Sequence, residues 1–291
     1  MSMKDLSAVV LDALDLHATS EVRELPFGTA TKRLIIGSGN ALPTGRVIFE
    51  GENALFCDEG QYRATLDREP DIDSVVVISA SGTKHAPIII KDVLARGLTT
   101  YLLTCAPASP ALDLLPADRV VLTRSNPEPI TYNTSTYMGM MLTRTRENTA
   151  DIKQHILTHV APLIPDFNKY EAFYLIVKPE FEIEMEMFIT KFDELFGGRV
   201  NGRCYTPEQT LHAKTVVPWE KELFISFGYD NRSFGSERLA IPLPVNCGYV
   251  AMLAIGYYVI GRIQVQKPPW FMESAEEYVR LQKELFSQNA K

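Results

Sequence analysis

Leu6, Val9, Val10, Ala13 and Leu14 recur at the i, i+3, i+4, i+7, i+8 spacing of one helical face, which predicts an amphipathic helix over residues 4–18. Beyond it, short apolar runs alternate with helical patterns. Residues 33–36 (RLII), 54–59 (ALFCDE), 75–79 (VVVIS), 99–104 (TTYLLT) and 119–123 (RVVLT) read as strands. Helices are expected at 84–96, with Gly97 as C-terminal cap, at 109–118 and at 134–147. The rest of 41–62 is ambiguous, and the helix after Gly39 reads as shortened by Pro43 and Gly45. Strands apolar along their whole length, alternating with helices, predict a parallel sheet covered on both faces.

The cycle then starts again. Residues 148–167 read as a bridging helix that stops at a proline, 172–177 (AFYLIV) as a strand, 182–198 as a helix ending in Gly-Gly, and 221–228 as another strand. Ser274 and Glu277 have the spacing of a capping box, so 274–286 is expected to be a helix that docks on the rest. The expected organisation is a first α/β unit over 1–150, a bridge over 151–171, a second unit over 172–267 and the docking helix over 268–291.

Composition narrows the function classes. A chain of 291 residues that is 46% hydrophobic can bury a large core. A formal charge of −7 with no basic patch argues against nucleic acid and membrane surfaces, so an anionic ligand must be met by local charge. Cys57, Cys105, Cys204 and Cys247 are scattered, with no C-x-x-C pair. They read as buried free thiols of a cytoplasmic protein and not as a zinc or redox site. The apolar stretch 247–260 is shorter than the ~20 residues a membrane span needs and is expected to be a buried helix or a subunit contact.

The candidate chemistry lies where 75–79 breaks off into Ser-Ala-Ser-Gly-Thr. In a parallel sheet, ligands sit beyond the carboxyl ends of the strands, where a tight loop enters the next helix. Small residues allow close approach of the backbone, Ser79, Ser81 and Thr83 offer hydroxyls, and a helix start offers unpaired N–H groups and a positive dipole end. The result is an anion cradle, most simply for phosphate, to which Lys84 and His85 could add positive charge. A second hydroxyl cluster, Thr134-Ser135-Thr136, opens another expected helix. Gly37-Ser38-Gly39 lacks the third glycine of a dinucleotide fingerprint.

These segments together, VVVISASGT, GLTTYLLTCAPASPALDLLPAD and EPITYNTSTY, resemble the sugar isomerase (SIS) domain family of phosphosugar-handling proteins. The resemblance implies an α/β fold of two SIS-like, doubly wound subdomains with parallel sheets flanked by helices. It matches Ser79 and Ser81 to the phosphate loop, Ser135 and Thr136 to the Ser-Thr element after Glu128, and Gly37, Ser38 and Gly39 to the glycine-rich end of the first strand. Asp58 and Glu59 resemble the short acidic segment after the second strand. The chain departs from the family where the usual threonine is either displaced to Thr83 or replaced by Lys84.

More weakly, the second half resembles two-SIS isomerases such as the isomerase part of glucosamine-6-phosphate synthase and the phosphoglucose/phosphomannose isomerases. The resemblance implies Glu194 as the base and His212 of TPEQTLHAK as the ring-opening group, with Glu184 or Glu186 as alternatives to Glu194. Aldose–ketose interconversion moves a proton between neighbouring carbons through an enediol. One carboxylate can shuttle that proton, and a histidine titrates in the range that ring opening needs. The expected function is a cytosolic hexose 6-phosphate isomerase without metal or cofactor, a homodimer in which His212 reaches across the interface. A non-catalytic sugar-phosphate sensor and a deaminase or lyase remain as alternatives.

Overall fold

The computed structural model of the chain describes residues 3–20 and 25–289. It contains two parallel sheets. The first has the order β2-β1-β3-β4-β5, built from β1 Arg33–Gly37, β2 Ala54–Cys57, β3 Ser74–Ile78, β4 Thr99–Thr104 and β5 Val120–Leu122. The second has the order β7-β6-β8-β9, built from β6 Ala172–Ile176, β7 Asn201–Tyr205, β8 Glu222–Phe227 and β9 Glu237–Ile241. Every pairing is parallel, so all loops that leave the strands of one sheet in the forward direction gather at one rim. Strands β1, β3, β6 and β8 are buried at every position, as expected when both faces are covered.

Helix α1, Leu6–Ala18, starts at Asp5, whose side chain accepts the Ala8 N–H. It lies against the buried helix α9, Tyr249–Gln266, which absorbs the apolar stretch seen in the sequence. Gly261 permits that crossing, because a Cβ there would sit 2.1 Å from the Ser7 backbone nitrogen. Gln264 of α9 accepts the Leu6 N–H at 2.9 Å and so satisfies an orphan donor of the α1 start. One apolar cluster joins α1 and α9 to Ile35 and Val76 of the first sheet and to Phe173 and Ile225 of the second. Among the described residues no helix is long and apolar enough to cross a membrane. All four cysteines are free, Cys57 and Cys204 buried and the other two partly so.

Several expected elements differ. Helix α2, Ala41–Ile48, runs through Pro43 and Gly45 without a break. Pro43 falls in the first turn, where a missing N–H costs nothing, and a Cβ on Gly45 would come 2.7 Å from Ile35 Cγ2, so the glycine lets the helix lie close on β1. The ambiguous stretch also holds α3, Tyr62–Arg68. The helix before Gly97 is α4, Ala86–Ala95. In place of a helix at 109–118 there are two short 3-10 turns, Leu112–Leu114 and Ala117–Arg119, separated by Pro116. Helix α5 is Thr134–Thr145.

The bridging helix ends early. Its α-helical part, α6 Thr149–His155, loosens into a π turn at Ile156–Val160 and a 3-10 turn at Ala161–Leu163, where Pro162 cannot continue the ladder. Helix α7 is Met185–Phe196, entered through a 3-10 turn at Pro179–Glu184, and α8 is Pro207–Leu211. The last helix, α10 Trp270–Asn289, begins before the Ser274/Glu277 pair, which therefore lies inside it and caps nothing. The capping box of the second half is at Thr206 and Gln209, at the start of α8.

Candidate functional site

Strand β1 ends in Gly37 and turns directly into α2. A Cβ at Gly37 would lie 2.8 Å from the Ala41 carbonyl carbon, so the Gly37-Ser38-Gly39 turn is tight enough only without a side chain there. Next to it, β3 ends at Ile78 and the chain enters Ser79–His85 before α4. Gly82 adopts φ +62, the left-handed region, and a Cβ there would come 2.3 Å from Ser109 Oγ. The loop is pinned from below. The Ser79 N–H donates to the Leu103 carbonyl (3.0 Å), the Gly82 N–H to Ser79 Oγ (3.1 Å), and Thr104 Oγ1 and Cys105 Sγ both donate to the Ala80 carbonyl (3.2 Å each).

These two turns enclose a cavity of about 200 Å³ lined by Gly37, Ser38, Ser79, Ser81, Lys84 and His85, with Tyr137 of α5 as its floor. The start of α4 opens beside it, with Pro87 in its first turn. Ser81 and Thr83 share a hydroxyl–hydroxyl hydrogen bond of 2.8 Å, which places Thr83 beside the loop serines, while Gly39, at φ +53, borders the turn. Glu59, after β2, stands 3.8 Å from His85 Nε2. Burial would raise the Glu59 carboxyl, but the Ser38 hydroxyl, a backbone amide and His85 together hold it below its ordinary value, so it stays ionised.

The structure brings Ser135 and Thr136 near the loop without opening them to the cavity. Glu128 accepts the Thr134 and Ser135 N–H groups (2.6 and 2.7 Å), so a carboxylate already occupies the α5 start. The Ser135 hydroxyl accepts the Asn126 N–H (2.9 Å), and the Ser135 carbonyl meets Nε2 of buried His17 at 2.9 Å. Thr136 Oγ1 contacts Cys105 Sγ at 3.2 Å and thus braces the loop from behind. The α5 residue that faces the cavity is Tyr137.

Glu194 is not on a solvated face. It pairs with Lys191 Nζ at 2.5 Å, and Lys191, fully buried, also donates to the Thr131 carbonyl (2.7 Å) and sits 5.4 Å from the centroid of the Tyr257 ring. Thr131 has φ +73, a costly backbone for a β-branched residue, roughly 1–3 kcal/mol, and this strained carbonyl is the one that takes the lysine proton. Burial raises the Glu194 carboxyl, opposed by Lys191, and burial lowers the Lys191 ammonium, opposed by Glu194. The pair is linked to the glycine turn through Tyr257: Asn40, which follows that turn, donates to the Tyr257 hydroxyl at 3.3 Å. Lys191 went unnoticed in the sequence because an i, i+3 Lys–Glu pair usually marks a helix surface.

Of the alternative carboxylates, Glu184 is fully buried with both oxygens unpartnered, and Glu186 lines a separate groove of about 1080 Å³ with Arg46, Glu50, Asp193 and Lys214. Glu184 neighbours Glu147, whose carboxylate accepts the Gly248, Val250 and Ala251 N–H groups at 2.9–3.0 Å and caps α9. Burial, and then the Glu147 charge, push the Glu184 carboxyl well above its ordinary value of 4.5. Below that value folded and unfolded states both keep the proton. Above it the unfolded chain releases the proton and the folded chain does not, so this group lowers stability as pH rises. Glu184→Met should therefore stabilise by about 1–3 kcal/mol, with thermal melts of variant and parent diverging from pH 5 to pH 8.

His212 lies exposed at the C-terminal cap of α8, with its backbone N–H bonded to the Gln209 carbonyl. Within one chain it is not part of the cluster around Glu194. Exposed Leu211, Val216, Val217 and Trp219 flank it.

No family model and no curated protein matches the sequence. Solved structures do match its fold. Glucosamine-6-phosphate deaminase from Thermotoga maritima superposes with a TM-score of 0.65 at 16% identity, covering 90% of this chain and 94% of that one. Tagatose-6-phosphate ketose/aldose isomerase from Escherichia coli gives 0.59 at 13%, covering 91% and 89%. The C-terminal domain of glucosamine-fructose-6-phosphate aminotransferase from Francisella tularensis gives 0.54 at 10%, covering 90% and 93%. At these identities the likeness establishes the fold alone, an α/β architecture shared with these three structures.

Proposed function

We propose that the protein binds a sugar phosphate in the Ser79–His85 cradle and interconverts its aldose and ketose forms. The observation that carries this reading is the serine loop at the end of β3 together with Glu194, held beside the buried Lys191 and linked through Tyr257 and Asn40 to the neighbouring glycine turn. Ser38, Ser79 and Ser81 with the α4 amides would hold the phosphate, and Lys84 and His85 would add charge at its rim. Glu194, with its affinity for a proton raised by burial, suits a base that takes a proton from one carbon and returns it to the next. Lys191 is placed to stabilise charge near that carboxylate. A hexose 6-phosphate is the simplest substrate, and no step requires a metal or cofactor.

The chain is read as two SIS-like units, over 1–150 and 172–267, joined by 151–171 and closed by 268–291, in a cytoplasmic homodimer. Exposure of His212 among apolar side chains supports its insertion into the partner's site to open the sugar ring. A second reading, a sugar-phosphate sensor without turnover, is favoured by the exposed position of His212 outside the buried Lys191–Glu194 pair.

Thermal-shift scans against hexose, pentose and heptose phosphates and the parent sugars test binding, and a ligand at about 100 times its dissociation constant should stabilise by about 2.7 kcal/mol. Proton NMR in D₂O then separates the readings. Loss of the C1 or C2 proton signal, or appearance of the ketose, supports the isomerase, binding without exchange supports the sensor, and no binding by any sugar phosphate sinks both. Mixing Glu194→Gln with His212→Ala protein should restore part of the activity if the site is shared between subunits.

A further inference from the structure

A second cleft, of about 590 Å³, opens at the opposite end of the first sheet, where β1 begins. With β1 rising about 3.3 Å per residue, its start lies about 13 Å from the Gly37 turn, so the cleft is a separate place from the cradle. Among the described residues, Arg33, Arg144 and Arg146 line it against one carboxylate, Glu52. That is a local excess of positive charge in a chain whose net charge is −7. Its volume falls in the range of small-metabolite pockets.

Arg33 is 5% exposed and rigidly held. Its guanidinium lies against the neighbouring rings of Phe27 and Phe49, 6.0 and 5.6 Å from their centroids, and donates to Ser74 Oγ (3.0 Å) and to the carbonyls of Phe27 (3.0 Å) and Gly28 (2.9 Å). Its Nε is buried without a hydrogen-bond partner, with the Glu52 carboxylate 3.4 Å away and not aligned to accept. Arg146 caps α5 with φ +53, a backbone that glycine or asparagine adopts at lower cost, and its side chain lines the cleft. Arg144, two residues earlier, donates to the Glu50 carbonyl at 3.4 Å. A rigid buried guanidinium with an unused donor, two exposed guanidiniums over it, and an apolar wall from Phe27 and Ile48 form a receptor for a small organic anion.

We propose that this cleft binds a small metabolite carrying a phosphate or several carboxylates, with Arg144 and Arg146 as the contacts that fasten it and Arg33 as the fixed base. The inference stands apart from the reading of the cradle. The test is isothermal titration of the full chain with pyrophosphate and with citrate in a phosphate-free, low-salt buffer, repeated on Arg144→Gln/Arg146→Gln. These side chains are exposed, and a thermal melt verifies folding. At least one anion should bind the parent, and its affinity should fall tenfold or more in the variant, while any sugar-phosphate stabilisation stays unchanged. Tighter binding of pyrophosphate would assign the ligand as a phosphate ester and tighter binding of citrate as a polycarboxylate. Equal binding by parent and variant, or no binding of either anion, would overturn the proposal.

Discussion

Glu194→Gln should bind a sugar phosphate as tightly as the parent and turn it over 10²–10⁴-fold more slowly, the order of magnitude a positioned general base contributes. Glutamine keeps the shape and can accept a hydrogen bond from Lys191, but it leaves that buried ammonium without its counter-charge, so the variant should melt below the parent, and it cannot take a proton. The cradle serines are untouched, so the loss falls on kcat and not on KM. The parent's rate should rise with pH as Glu194 ionises, with its acid limb above the ordinary carboxylate range because burial raises that carboxyl. Measured exchange of the C1 or C2 proton across pH 4–8 checks both points. Undiminished exchange in the variant would remove Glu194 from the reaction.

Lys191→Met should destabilise the protein and displace that acid limb in one step. Removing one partner of a buried ion pair costs about 3–5 kcal/mol. The lower end applies here because Glu194 keeps 25% of its side chain exposed. For a chain of this length about 3 kcal/mol corresponds to a Tm lower by roughly 5 °C. Without the ammonium to favour the charged form, the Glu194 carboxyl titrates still higher, so the acid limb of the rate profile moves to higher pH. A simple packing role would lower Tm and leave the limb in place. The double variant Lys191→Met/Glu194→Leu removes both charges and should recover part of the lost stability, which a melt of all four proteins would show as a coupling energy.

The strands of the sheet centres were legible because burial on both faces forces unbroken apolar runs, as in SVVVI, AFYLI and ELFISF. β7 (NGRCY) and β9 (ERLAI) escaped notice because they are the two edges of the second sheet, and most of their positions are exposed or only partly buried. The serine loop was readable because small hydroxyl residues between an apolar strand run and a helical pattern stand out in the sequence. The role of Ser135 and Thr136 was not, since it depends on Glu128 reaching back over the α5 start, a contact that residue types alone do not announce. Lys191 shows the same limit. Its spacing from Glu194 is visible, but only the packing of Tyr257 and the Thr131 carbonyl around it distinguishes a buried pair from a solvated one.

Helix α9 also bears on how the chain folds as it is made. Strands 33–122 of the first sheet precede the end of α9 by more than a hundred residues, yet Ile35 and Val76 share one apolar cluster with that helix. At 5–20 residues per second, synthesis leaves this inner face uncovered for on the order of ten seconds. Until residue 266 has been made, the face of the first sheet that carries Ile35 and Val76 has no complete α9 to pack against, so this core closes last.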